Sequence, residues 1–204
     1  MKRLNVFAIL FFALSSLSAQ VSSTSGLTQA EIEDFHNEAS AQIERLQKNL
    51  ELLGNRNESN TTKRLVHDET LKLFIERGQP YVDNLGNRQP AVIMQVSDVR
   101  TGRITDRTID QYLRNLRNLA YAQVEITKAE THRISDLRKV GNNRYEAAAT
   151  IYQRFIARDA EGRITISDHT EKTIQIIIRT EVDAWGEKWV VLLGNISVSE
   201  TRPL

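Results

Sequence analysis

The chain of 204 residues contains no cysteine, only three prolines, and nine glycines that never stand next to one another. Without cysteine there is no disulfide framework, no thiolate metal site and no cysteine nucleophile. Singly scattered glycines leave no phosphate-cradling loop, and no GxSxG marks a serine nucleophile on a strained turn. The four histidines, His36, His67, His132 and His169, include no pair at i and i+4, so a zinc site of the HExxH kind is excluded. Aromatic residues make up 6% of the chain and the formal net charge is +1. No run of apolar residues approaches the roughly 20 that a spanning helix needs.

What is present begins with an address. Lys2 and Arg3 form a positive start, Val6 to Leu14 an apolar stretch, and Ser16-Leu17-Ser18-Ala19 a small-residue end. Together they read as a secretory signal peptide over residues 1–19, cut after Ala19. Its removal takes away two basic residues and no acid, leaving 25 of the 27 basic side chains against 26 acidic ones. That balance lacks the cationic footprint of a nucleic-acid binder. An exported domain without disulfides rests on its core alone, a habit that fits a bacterial envelope protein. The absence of cysteine also excludes a lipid anchor on an N-terminal Cys. The expected organisation is a loose leader over 20–27, one domain over 28–200 and a short tail over 201–204.

Thr28 and Glu31 make a capping box, and Ile32, Phe35, Ala39, Ile43, Leu46, Leu50 and Leu53 follow at helical spacing as one apolar stripe. Gly54 is read as the stop. A second helix is expected from about Thr61 to Arg77, closed by Gly78, then a strand over 91–99 and a third helix over 108–119. From Tyr121 onward the pattern turns to strands, near 121–128, 131–140, 144–157, 163–181 and 187–200. Turn residues separate the later ones, at Gly141-Asn142-Asn143, Asp159 to Gly162 and Asp183 to Gly186. Helices first and hairpins afterwards predict an α+β fold, with N-terminal helices packed on a curved antiparallel sheet.

Chemistry is sparse. In Asp168-His169-Thr170-Glu171, His169 and Glu171 share one side of a strand and suit a cation or a proton, yet polar residues at a strand entrance are more often solvated. The arginines Arg100, Arg103, Arg107, Arg114 and Arg117 stand among Asp98, Asp106 and Asp110, which favours a solvated, internally paired surface over an anion clamp. The residues expected to line an interior pocket are Tyr112, His132, Tyr152, His169 and Trp189. No catalytic residue, metal ligand or cofactor is assigned from the sequence.

The stretches Ile151-Tyr152-Gln153-Arg154-Phe155, Ser167 to Ile174 and Trp189 to Ile196, with the order of elements, resemble the nuclear transport factor 2-like superfamily and exported proteins of that fold from Bacteroides-type bacteria. The resemblance spans about residues 28–200. It implies a cystatin-like cone in which a bent sheet wraps a long helix. Members include ketosteroid isomerases, scytalone dehydratase and polyketide cyclases, which use Tyr, Asp and His side chains inside the cone. Those residues do not carry over, because the helix from Thr28 to Leu53 has no Tyr and only His36. The function expected first is therefore a non-catalytic binding or scaffold protein of the envelope, engaging a second copy or another envelope protein. The alternative is a binder of a small apolar ligand, or an enzyme of the isomerase or dehydratase type, working inside the cone.

Overall fold

The computed structural model describes residues 26–83, 86–128 and 133–204. The signal peptide, most of the leader and His132 lie outside the described residues. Helix α1 (Gln29–Gly54) begins at Thr28, whose hydroxyl accepts from Glu31 N at 3.2 Å while the Glu31 carboxylate accepts from Thr28 N at 2.7 Å. Its stripe of Phe35, Ala39, Ile43, Leu46, Leu50 and Leu53 is buried, and Glu33, Asp34, Glu38, Glu44, Arg45 and Glu51 face water. Gly54 is still helical. A Cβ there would meet Val124 Cγ1 at 3.2 Å, so its smallness serves close packing, and Asn55 is the cap.

Helix α2 (Asn60–Leu71) is capped by Ser59, which accepts from Thr62 N at 3.0 Å. It stops six residues before the expected end at Arg77. Leu73, Phe74 and Ile75 are all buried, and three successive residues cannot share one face of a helix. The chain straightens instead, so that Leu193 N donates to Leu73 O at 2.8 Å and Phe74 bridges to Leu193. The turn Ile75–Gly78 then carries three left-handed residues in a row, Glu76, Arg77 and Gly78.

Two short strands, β1 (Tyr81–Val82) and β2 (Arg88–Gln89), pair with each other alone. The main sheet contains β3 (Ile93–Ser97), β4 (Ile104–Thr108), β5 (Gln123–Lys128), β6 (Arg133–Ile134), β7 (Arg138–Gly141), β8 (Arg144–Arg158), β9 (Ile164–Asp183) and β10 (Gly186–Pro203). Its order is β4-β3-β10-β9-β8-β5, with β6 and β7 also on the β8 edge. Helix α3 (Ile109–Arg117) follows β4 directly. The α+β class and the packing of helices on a curved sheet hold. The sheet is mixed, though, because β3 runs parallel to β10 at Ile196↔Met94. A bulge between Leu193 and Ile196 explains the joint: Asn195 Oδ1 accepts from Ile93 N at 2.8 Å, and Gln95 Oε1 accepts from Val198 N at 3.0 Å. Side-chain amides thus complete a ladder that no hairpin could set up.

Two further departures concern short strands. The arginine-bearing stretch before α3 forms β4 as a hairpin with β3, from Ile93↔Thr108 to Ser97↔Ile104. The expected strand over 131–140 is broken, with β6 and β7 each pairing separately with β8. Among the described residues no helix is long and apolar enough to cross a membrane.

Candidate functional site

Strands β8 and β9 turn alternate side chains toward α1. On β9 the inward set is Asp168, Thr170, Lys172, Ile174, Ile176 and Ile178, all buried. On β8 it runs through Tyr145, Ala147, Ala149, Ile151 and Gln153. The register sets Ile151 opposite Lys172 and Gln153 opposite Thr170. One end of the interior is therefore aliphatic and the other polar. At the polar end lies a half-open pocket of about 350 Å³, walled by β3, its following loop, α3, β8 and β9.

Lys172 is the central feature, with 6% of its surface exposed. Its Nζ donates to Gln153 Oε1 at 2.7 Å, and Gln153 Nε2 donates to Gln47 Oε1 at 3.2 Å. Nζ also stands 6.0 Å from the centre of the Tyr112 ring. Thr170 Oγ1 donates to Asp168 Oδ1 at 3.0 Å. The capping box of α3, between Thr108 and Gln111, fixes the turn that carries Tyr112. The loop after β3 closes the mouth: Gly102 N donates to Asp98 O at 2.8 Å, and Arg100 Nη2 donates to Thr165 O at 2.7 Å.

Burial dominates the electrostatics. It lowers the Lys172 ammonium to about 8, against the opposing pull of the Asp168 charge. Burial raises the Asp168 carboxyl, and the Thr170 hydrogen bond and the charges of Lys172 and His169 offset part of that rise. The Tyr112 phenol is pushed up by burial and by Asp168, so it keeps its proton. An amine that sheds its proton easily thus stands beside two groups that hold theirs longer than usual, a set equipped for proton transfer.

The residues expected from sequence are dispersed. Tyr112 lines this pocket. Tyr152 and His169 lie on the opposite face of the sheet, their rings 5.7 Å apart, in a shallow groove with Glu171, Glu200 and Arg202. Trp189 is at the aliphatic end, 5.5 Å from the Phe35 ring and 5.8 Å from that of Tyr145. His132 lies outside the described residues. Lys172 and Gln153 are pocket side chains that motif reasoning passed over, and within Asp168-His169-Thr170-Glu171 it singled out His169 and Glu171 where Asp168 and Thr170 are the ones that line the pocket. Their signal is phase: positions 168, 170 and 172 alternate in step with Ile174, Ile176 and Ile178, and Gln47 falls in the α1 stripe beside Leu46.

No protein-family model matches the chain, and comparison with curated proteins finds no match. Among solved structures it is similar to a protein of Novosphingobium aromaticivorans DSM 12444 provisionally assigned as a scytalone dehydratase, at 13% identity and TM-score 0.38, over 84% of this chain and 91% of that one. It is also similar to a type 2 hexachlorocyclohexane dehydrochlorinase, at 11% identity and TM-score 0.36, over 84% and 93% of the two chains. Likeness at this level carries no chemistry across, so function is read from this chain's own side chains.

Proposed function

We propose that the chain is an exported small-molecule-binding protein whose interior pocket performs proton transfer on its ligand, in the manner of an isomerase or dehydratase. The observation that carries this reading is the polar end of the interior. Lys172, Asp168 and Thr170 are buried where the same strand supplies isoleucines two residues further on. Burying an ionisable pair is often less stable than packing apolar residues of similar volume, so these residues are better explained by function than by stability. The pocket is at the small end of ligand sites, which run from about 300 to 1,000 Å³. Val96, Leu119, Tyr121, Phe155 and Ile166 give it apolar walls. Export rests on the pattern of residues 1–19.

Native mass spectrometry of the protein isolated gently from its host tests the reading. A small added mass that is missing from Val96→Trp, which fills the pocket, supports it. A wild-type chain carrying no added mass and showing no saturable binding of 2-naphthol, an aromatic ring with one polar group, overturns it.

A second reading, docking of a partner protein, draws on the tip of the β9–β10 hairpin, where Trp185 is 86% and Val182 82% exposed. Loss of a co-purifying protein from a Trp185→Ser variant with an unchanged pocket would favour it.

A further inference from the structure

Lys172 is buried without a counter-ion in contact. Among the described residues its Nζ has one hydrogen-bond partner, the neutral amide oxygen of Gln153, and no carboxylate lies within salt-bridge reach. The ion-paired lysines of the described residues are exposed, Lys72 reaching Glu69 at 2.6 Å and Lys188 reaching Asp183 at 2.7 Å, and the other buried lysine, Lys63, lies outside the pocket. A buried ammonium whose one contact is an amide is poorly compensated for its desolvation, since the Asp168 charge acts on it only from beyond salt-bridge distance, whereas a neutral amine fits the same place. Below it, Gln47 Nε2 is buried with no hydrogen-bond partner among the described residues. The amine opens on a pocket whose walls are mostly apolar.

We propose that Lys172 is a reactive amine that condenses with an apolar aldehyde or ketone in the pocket, forming an imine. This rests on the pocket being a small-molecule site. The Nζ lone pair attacks the carbonyl carbon, the C=O π bond breaks, and the oxygen gains a proton from the buried carboxyl of Asp168. Nitrogen passes a proton through a water in the pocket to the Asp168 carboxylate, giving a carbinolamine. The nitrogen lone pair then expels that hydroxyl, protonated by Asp168, as water, and the iminium N–H returns its proton to the Asp168 carboxylate. The sum is amine plus carbonyl giving imine plus water, with no redox change. Tyr112 and Phe155 supply flat surfaces against which a ring or chain can lie.

The test uses 2-naphthaldehyde with sodium cyanoborohydride, which reduces an imine to a stable amine, followed by peptide mapping of the full chain. Lys172 is expected to be labelled at least about tenfold faster than the exposed Lys48, Lys72 and Lys188 at neutral pH, since far more of it is free amine. Lys172→Met should lose the fast adduct, and Val96→Trp, which keeps the amine and blocks entry, should slow it to the surface rate. Labelling of Lys172 no faster than the exposed lysines overturns the imine. If 2-naphthol, the same ring without a carbonyl, still binds the wild type saturably, the imine alone falls. If it does not bind either, the pocket reading falls with it.

Discussion

Lys172 Nζ donates a 2.7 Å hydrogen bond to Gln153 Oε1, joining two strands through side chains that both point into the core. The bond is relayed to α1, because Gln153 Nε2 donates at 3.2 Å to Gln47 Oε1. Helix and sheet are thereby tied by a polar chain at the one end of the interior where aliphatic packing gives out. The chain holds the amine in place and faces it to the pocket.

Replacing Gln153 with Leu removes the acceptor from Lys172 and the donor from Gln47 together. The buried polar groups left behind make Gln153→Leu less stable by about 1–3 kcal/mol at neutral pH. Chemical denaturation with an unchanged slope would register this. A neutral or stabilising result would mean that Lys172 finds another partner.

Stability should depend on pH through Lys172. Its folded value, about 8, lies below the ordinary 10.5, so between the two the unfolded chain binds more protons than the folded one. Stability contributed by this group therefore climbs as pH rises from about 8 to about 10.5, by an amount on the order of 3 kcal/mol. Below 8 the penalty is fully present and flat. The difference between wild type and Lys172→Met, measured by urea unfolding across this range, isolates the effect from the exposed lysines and tyrosines. A difference that stays constant from neutral pH to 10.5 would show that Lys172 titrates alike in both states.

The left-handed turn after α2 sets a backbone prediction. Gly78 has φ of 75°, and a Cβ there would collide with Ile109 Cγ2 at the start of α3. Gly78→Ala combines that clash with an unfavourable φ and should destabilise by more than about 1 kcal/mol. Arg77→Gly, at φ of 54°, should be neutral or slightly stabilising. Thermal melts of the two variants, read side by side, check the contrast.

Trp189 and His169 separate stability from the pocket. Trp189→Ala removes the ring that packs on Phe35 and Tyr145 and should cost about 2–4 kcal/mol, while 2-naphthol binding of the folded fraction stays as in wild type. His169→Ala, on the outer face of the sheet, should leave both binding and imine labelling unchanged. Loss of binding on removing His169 would place the ligand on that outer face.

Much of this was legible in the chain. The Thr28 and Thr108 caps, the α1 stripe and the hairpin turns depend on neighbours within a few residues, and the resulting helices and strands follow them closely. Where tertiary contacts compete, local pattern loses. Leu73 to Ile75 leave the helical course because the sheet needs them, and β3 finds β10 through Asn195 and Gln95, side chains about a hundred residues away from their partners.

By itself the sequence determined the helical and strand segments, their caps and turns, and the order that makes an α+β fold, since those rest on periodicity and short-range hydrogen bonds. It also carried, in the phase of residues 168 to 178, the fact that a lysine falls on the buried side of its strand. Only the tertiary structure decided what that lysine meets. The pairing of β8 with β9 and the crossing of α1 bring Gln153 and Gln47 to it from 19 and 125 positions away, and no local rule fixes contacts at such separations. The same geometry parted Tyr152 and His169 from Tyr112, because one step along a strand turns a side chain to the other face.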